Sequence, residues 1–422
     1  MIADMKEPAW MQELRLKAQE QFDGMSWPTT SEEEWRRTDV SAINALSFIP
    51  APLSAIDGAR SLGASPASAQ SVAGLLRFEA GQLSESRVSN EWQRRGVRLL
   101  SLADALKEFE KPLADIFDEG LDAADNRFVV WHYASWNHGA FLMVPPGLEI
   151  KEPFLIDFVE TGDGVLSSPH VVAVVGEGAR VSVIHRIAGA SVGPTERVLC
   201  NAGLDLLLSD AAALQYFEGQ YLGQQSLYFR NARARSGRDS SLRHYDACLG
   251  GKLAKTRIDC SLSGEGSEAF LNGVYYCRDG QHMDIRTVQR HHSPSATSRA
   301  YYKGAVASGG RTVFQGLIDV EAGASGTDAY LTNRNLILGD AARSDSIPTL
   351  RIGNNDVRCS HGSTTGRLSE EELFYLESRG LSRAESREML VVGYFEDLLD
   401  SAPQLYREGA LGQVRAYLAI AA

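Results

Sequence analysis

Apolar residues recur along this chain at two kinds of spacing, and the spacing changes twice. Near the start Trp10, Leu14 and Ala18 fall four residues apart, which places them on one face of a helix. Ser31 followed by Glu34 forms a capping-box pattern ahead of Trp35. Residues 52–75 are dominated by Ala, Ser and Gly, with Pro52 and Pro66, the composition of a loop or linker. A further helical stretch is expected from Leu102 to Phe117. From about Phe128 to His361 the period shortens to that of strands. Arg180-Val181-Ser182-Val183-Ile184 alternates strictly, and β-rich runs are punctuated by Gly176-Glu177-Gly178, Gly264-Glu265-Gly266, Gly309-Gly310 and Gly323-Ala324-Ser325-Gly326.

Leu214, Leu242 and Phe270 recur 28 residues apart in similar contexts, and the run Thr312-Val313-Phe314-Gln315-Gly316 follows after a longer gap. Stacked solenoid coils produce such spacing, because each coil buries its face on the next. A large β-sandwich fits the same strand pattern. Helical signals return at the end. Ser369 with Glu372 forms a cap, Gly380 stands where a helix stops, and Ser382 with Glu385 opens a second helix. The apolar pairs Leu390/Val391, Tyr394/Phe395 and Leu398/Leu399 recur every four residues, and a third helix is expected from Gln404 to Ile420. The chain thus divides into an N-terminal helical region (1–125, with the linker at about 52–75), a β core (126–362) and a C-terminal helical domain (363–422).

Charge and cysteines narrow the function classes. A net charge of −12 without a dense Lys/Arg run argues against nucleic acid as a partner. Met1–Trp10 has no apolar stretch of the kind a signal peptide carries, and no run approaches the ~18 residues of a membrane span, so a cytoplasmic protein is expected. Cys200, Cys248, Cys260, Cys277 and Cys359 are odd in number and widely spaced, unlike a disulfide framework or a zinc knuckle. Gly189-Ala190-Ser191-Val192-Gly193 mimics a nucleophile elbow, but Pro194 follows where a helix must begin. Gly250-Gly251-Lys252 lacks the parts of a phosphate loop. Cys277, His282, His291 and His292 fit no metal-ligand spacing.

One signature is more specific. It runs His291-His292-Ser293-Pro294-Ser295-Ala296-Thr297-Ser298-Arg299, then Tyr302-Lys303-Gly304, Val313-Phe314-Gln315-Gly316 and Thr327-Asp328-Ala329-Tyr330-Leu331-Thr332-Asn333-Arg334-Asn335-Leu336. It closes with Asp356-Val357-Arg358-Cys359-Ser360-His361-Gly362 and Leu373-Phe374-Tyr375-Leu376-Glu377-Ser378-Arg379-Gly380-Leu381. In order and content this resembles the SufB/SufD family of SUF iron–sulfur cluster assembly proteins. The resemblance is continuous from about residue 280 to 400. It weakens toward the N-terminus, where Glu34-Trp35-Arg36-Arg37-Thr38-Asp39 is similar to the opening segment of the SufD branch.

The resemblance implies a mainly β fold, a right-handed parallel β-helix between helical ends, and no enzyme activity of the chain itself. It favours the SufD branch. Where the SufB scaffold carries a cysteine this chain has Asn333-Arg334-Asn335, and where the scaffold has an acidic residue after the histidine this chain has Gly362. It implies two partners, SufB through the β-helix and the ATPase SufC through the C-terminal helices, and a homodimer when isolated. The expected SufC surface carries Leu373, Phe374, Tyr375, Arg379, Tyr394 and Phe395. No tightly bound cofactor is expected. A cluster or iron would be shared transiently with SufB, and Cys359 and His361 are its candidate ligands. They are two apart in a strand, hence on one face and roughly 7 Å apart along the chain. The alternatives are a self-sufficient SufB-like scaffold as a homodimer, and a β-helix enzyme acting on carbohydrate, which would need carboxylates grouped on one face.

Overall fold

A computed structural model describes residues 7–44, 48–50, 72–189 and 197–420. Most of the linker and the Ala190–Gly193 part of the elbow-like pattern lie outside these residues. The strands form two long sheets, of 11 and 10 strands, whose members alternate along the chain. The result is a parallel β-solenoid of about eight turns with helices at both ends of the sequence. The first sheet ends with Leu253–Leu262, His282–His291, Arg311–Val320 and Arg343–Ile352. The second ends with Glu268–Cys277, Thr297–Val306, Thr327–Ile337 and Val357–Arg367.

The coil-to-coil turns explain the glycine punctuation. Gly178, Ala211, Asp239, Gly266, Ser295 and Gly326 hold equivalent places in six stacked turns, all with φ between 53° and 69°. Each donates its N–H to a carbonyl of the next turn, from Gly178 to Asp210 and onward to Gly326 with Asp356. Glycine adopts this backbone freely. Ala211, Asp239 and Ser295 are held there by the stack against a cost of roughly 1 kcal/mol each.

The repeat is real but its period drifts. Leu214 pairs with Leu242, as the spacing predicts, but Leu242 pairs with Ala269. Phe270 is shifted by one place, beside Arg243, whose guanidinium stacks on its ring at 4.4 Å. One residue of slip moves a side chain to the opposite face of a strand. Three other expectations also change. The 1–125 region is not only helical: strands Gly74–Glu79, Gln82–Val88 and Arg98–Ser101 close the N-terminal end of the sheets, and the first begins inside the expected linker. The segment Arg127–Ser135, expected to be strand-like, is a helix capped by the Asn126 side chain. Ser31 and Glu34 start no helix: the segment is a run of turns, Trp35 is buried, and Glu34 reaches Arg286 at 2.9 Å.

Apolar packing fixes the flanking helices on opposite faces of the solenoid. Helices Ala9–Gly24, Leu102–Glu108, Glu110–Asp122 and Arg127–Ser135 cover the outer face of the first sheet around Phe141 and Val172. Helices Arg383–Leu399 and Gln404–Ile420 cover the outer face of the second, with Val391, Phe395, Leu398, Tyr406 and Val414 on Phe217, Tyr245, Leu249 and Tyr276. Full burial of such side chains contributes about 1.5–3 kcal/mol each, so these named contacts anchor the pair of helices to the sheet. It does not cap the open end of the solenoid.

Candidate functional site

The two ends of the solenoid differ. At the N-terminal end Gln82–Val88 pairs antiparallel with Gly74–Glu79, and Glu85 and Arg87 on it form an exposed ion pair. Charges on an edge strand discourage further pairing. At the other end Arg343–Ile352 pairs with Arg311–Val320, and Val357–Arg367 pairs with Thr327–Ile337. Among the described strands neither has a partner on its other side. Their outer edges therefore present free backbone N–H and C=O groups, flanked by the exposed Leu350 and Ile352.

Cys359 and His361 lie on this last strand. Cys359 stands in register with Ala329 and His361 with Leu331, and both of those partners belong to the interior core. The alternation expected from sequence thus puts the pair in line with the inner rows of the solenoid, at its open end. Their surroundings differ. His361 is exposed. Cys359 is half-buried against the core, the one cysteine of the five that is not fully buried, and this burial pushes its thiol pKa up. A protonated thiol is a poor ligand, since the thiolate is the form that binds iron. Two donors also cannot complete a cluster site.

Asn333 and Asn335, where the resemblance implies a cysteine in the scaffold, are buried inside the solenoid on the strand next to the last one. Asn333 donates to the Tyr275 hydroxyl at 2.9 Å, Tyr275 donates to Asn335 at 2.5 Å, and Asn335 donates back to Asn333 at 2.7 Å. This closed ring satisfies the buried amides and offers no thiolate. The four residues weighed as a metal cluster are scattered: the Cys277 thiol faces the Gln281 and Arg311 carbonyls, His282 meets Thr38, His291 meets Ser298, and His292 meets Glu321.

The C-terminal residues expected at an ATPase surface separate into two groups. Phe374 and Tyr375, on helix Glu370–Ser378, are 72% and 56% exposed, and the Arg379 guanidinium stacks on Tyr375 at 5.2 Å. Met389, 53% exposed, adds to the apolar surface of this helical region. Leu373 and Phe395 are turned inward instead, and Tyr394 is half-buried, with its backbone carbonyl accepting from Lys303 at 2.7 Å. The resemblance implied all six together; which of them face the sheet depended on the fold.

Two buried polar groups had no sequence signal that joined their members. His132, His170 and Asp205 form a chain under the N-terminal helices, with links of 2.7 and 2.9 Å, ending on Arg233. Inside the solenoid, Arg230 sits between Asp246 at 2.6 Å and Glu218 at 3.5 Å, with His244 3.4 Å from Glu218. Burial and the charge of Glu218 raise the Asp246 carboxyl pKa, whereas Arg230 and His244 outweigh burial at Glu218 and lower its pKa.

Burial also depresses several histidines, His132 to about 3 and His185, His282 and His291 to about 4. Each is neutral when folded and takes a proton near pH 6.5 when unfolded. Their contribution is therefore fully present above pH 6.5 and is lost as pH falls from there toward 4. Each group gives a slope of about 1.4 kcal/mol per pH unit. Denaturant midpoints measured from pH 7.5 to 4.5 should fall steeply below pH 6. A flat profile over pH 6.5–5 would show that these histidines are not buried neutral.

Comparison with known proteins matches residues 158–394 to the SufBD core domain of the SUF system for FeS cluster assembly. An iron–sulfur cluster assembly SufBD family protein of Mycobacterium tuberculosis is 31% identical over 283 residues, covering 65% of this chain and 69% of its own. SufBD family proteins of Staphylococcus haemolyticus and Staphylococcus epidermidis are 25% and 26% identical, each covering 96% of this chain and 89% of its own. With the solenoid, its open end and its family segment in the same residues, the chain belongs to the SufBD family of SUF-system iron–sulfur cluster assembly proteins.

Proposed function

We propose that this chain is a SufD-like, non-catalytic subunit that pairs with a SufB scaffold through the open end of its solenoid and lends His361 to a cluster handled there as cargo. The observation that carries this reading is the pair of final strands, each with one edge unpartnered among the described strands, and the exposed histidine on the last of them. A second solenoid can continue both sheets across that edge by backbone pairing. It would also supply the ligands that one side chain cannot. The buried asparagine ring at the scaffold's cysteine position favours the SufD role over a self-sufficient homodimer scaffold. The carboxylates Asp205, Asp259 and Asp319 on the outer face of the first sheet are each tied to arginine, Asp205 to Arg233 and the other two to Arg290, which speaks against a pair free for carbohydrate cleavage. Co-purification from the source cell tests the assignment. Recovery of a paralogue and an ABC-type ATPase is expected, and anaerobic reconstitution of the lone chain should leave no stoichiometric cluster. A stoichiometric cluster on the lone chain would favour the homodimer scaffold.

In the same reading the ATPase SufC docks on the apolar surface around Phe374, Tyr375 and Met389. Deleting residues 369–422 is a poor test, because it strips the helices that cover Phe217, Tyr245 and Tyr276. Phe374→Asp is cleaner. The side chain is mostly exposed, so folding stability should change by no more than about 0.5 kcal/mol. A hot-spot aromatic contributes about 2 kcal/mol or more to binding, so ATPase affinity by calorimetry should fall roughly thirtyfold. Unchanged affinity would move the docking surface elsewhere.

A further inference from the structure

Helix Gln404–Ile420 does not seal against the sheet along its whole length. Between it and the outer face of the second sheet lies a cleft of about 810 Å³, within the size range of small-molecule sites. The helix contributes Gly409, Gly412 and Ala416, and the opposite wall includes Leu155, Ile184 and Ala188. A Cβ built on Gly412 would meet nothing within 4 Å. Glycine inside a helix costs about 1 kcal/mol relative to alanine, and here the space it leaves is filled by no atom of the described residues.

The walls are mainly apolar, with Tyr221, Gln413 and His185 among the polar side chains that line them. The tyrosines nearest the helix have spent their hydroxyls: Tyr406 donates to the Glu218 carbonyl at 3.1 Å and Tyr417 to the Leu249 carbonyl at 2.6 Å. A heterocycle that needs directed hydrogen bonds would lose them on entering, whereas an aliphatic chain would lose nothing. Three charged side chains, Arg186, Arg278 and Glu408, also line the cleft. Arg186 is neutralised by a two-point pair with Asp157, at 2.7 and 2.8 Å, and Glu408 is exposed with the Gln404 amide on it.

Arg278 is different. Its guanidinium lies 3.7 Å over the Tyr417 ring, half-buried. Its hydrogen-bond partners are amides. Nε reaches Gln281 at 3.3 Å, and the terminal nitrogens reach the Gln224 oxygen at 2.5 and 3.0 Å once that amide is turned. Among the described residues it has no carboxylate partner. A half-buried cation with neutral partners, in the lining of a mainly apolar cleft, is complementary to an anionic head with an apolar tail.

We propose that the cleft between helix Gln404–Ile420 and the second sheet binds a long-chain carboxylate, with its chain along Gly409, Gly412 and Ala416 and its carboxylate on Arg278. The test is fluorescence titration of the full chain with cis-parinarate, followed by displacement with myristate or with tetradecanol. Saturable binding is expected, with myristate displacing the probe at least tenfold better than the uncharged alcohol. Arg278→Gln should abolish that acid-over-alcohol preference while the melting temperature stays near wild type. Gly412→Leu, at an open helix position, should weaken probe binding at least tenfold without loss of stability. The proposal is overturned by absence of saturable binding, by equal displacement by acid and alcohol in the wild type, or by an unaltered preference in Arg278→Gln. Should Gly412→Leu prove unstable, the Arg278 comparison decides alone.

Discussion

His361→Ala is expected to leave the multi-subunit assembly intact and to lower its rate of cluster formation by at least roughly tenfold. The side chain is exposed on the last strand, so replacing it should cost the fold no more than about 0.5 kcal/mol. Even outer-shell partners of a metal ligand change affinity or activity by roughly 10–100-fold, and a direct ligand should count for no less. Cys359→Ala should be the milder change. Its sulfur packs on the core, and burial raises the thiol pKa, so it gives up little thiolate at neutral pH. The measurements are size-exclusion of the reconstituted complex and anaerobic cluster assembly followed by absorption and iron content. Wild-type assembly together with a wild-type rate for His361→Ala would end the ligand assignment. A complex that no longer forms would make His361 an interface residue instead.

The contrast between these neighbours shows what was legible in the sequence and what was not. Alternation along a strand is local, so the shared face of Cys359 and His361 could be read from their spacing. That the strand is the last one, with an open edge, is a property of the stack. The same division runs through the fold. Ser369 and Ser382 announce their helices because capping is a contact between residues three apart, and both caps are present. Ser31 and Glu34 carry the same letters but no helix follows, since Trp35 is drawn onto Phe128 and Thr38 onto Asp284. In the turn column Gly178, Gly266 and Gly326 are visible as glycines. Ala211, Asp239 and Ser295 are not, because neighbouring coils impose their backbone. The docking residues divide for the same reason. Phe374 and Leu373 are adjacent letters, and only the packed helical region decides that one faces solvent and the other does not.

The interior charges set the last expectation. Arg230→Met should destabilise the solenoid by about 3–5 kcal/mol, the usual consequence of removing one member of a buried ionic group. Arg230, Glu218 and Asp246 are each at most 3% exposed, and no water-facing route relieves the two carboxyls once the guanidinium is gone. The loss is a large share of the 5–15 kcal/mol that separates folded from unfolded domains. It should show as a lower denaturant midpoint, and as earlier exchange of amides in strands Ala213–Tyr221 and Ser241–Cys248, since solenoid coils open with their neighbours. The pH dependence has a definite sign. Without Arg230 both carboxyls are raised above their unfolded values, so the folded variant binds protons more readily and its deficit shrinks as pH falls from 7 to 5. Adding Glu218→Gln and Asp246→Asn to Arg230→Met removes the uncompensated charge and should recover most of the stability, because a neutral interior of similar volume competes well with a buried ion pair. A single variant within about 1 kcal/mol of wild type, or a triple variant no better than the single, would show that the cluster is not a charge-balanced unit.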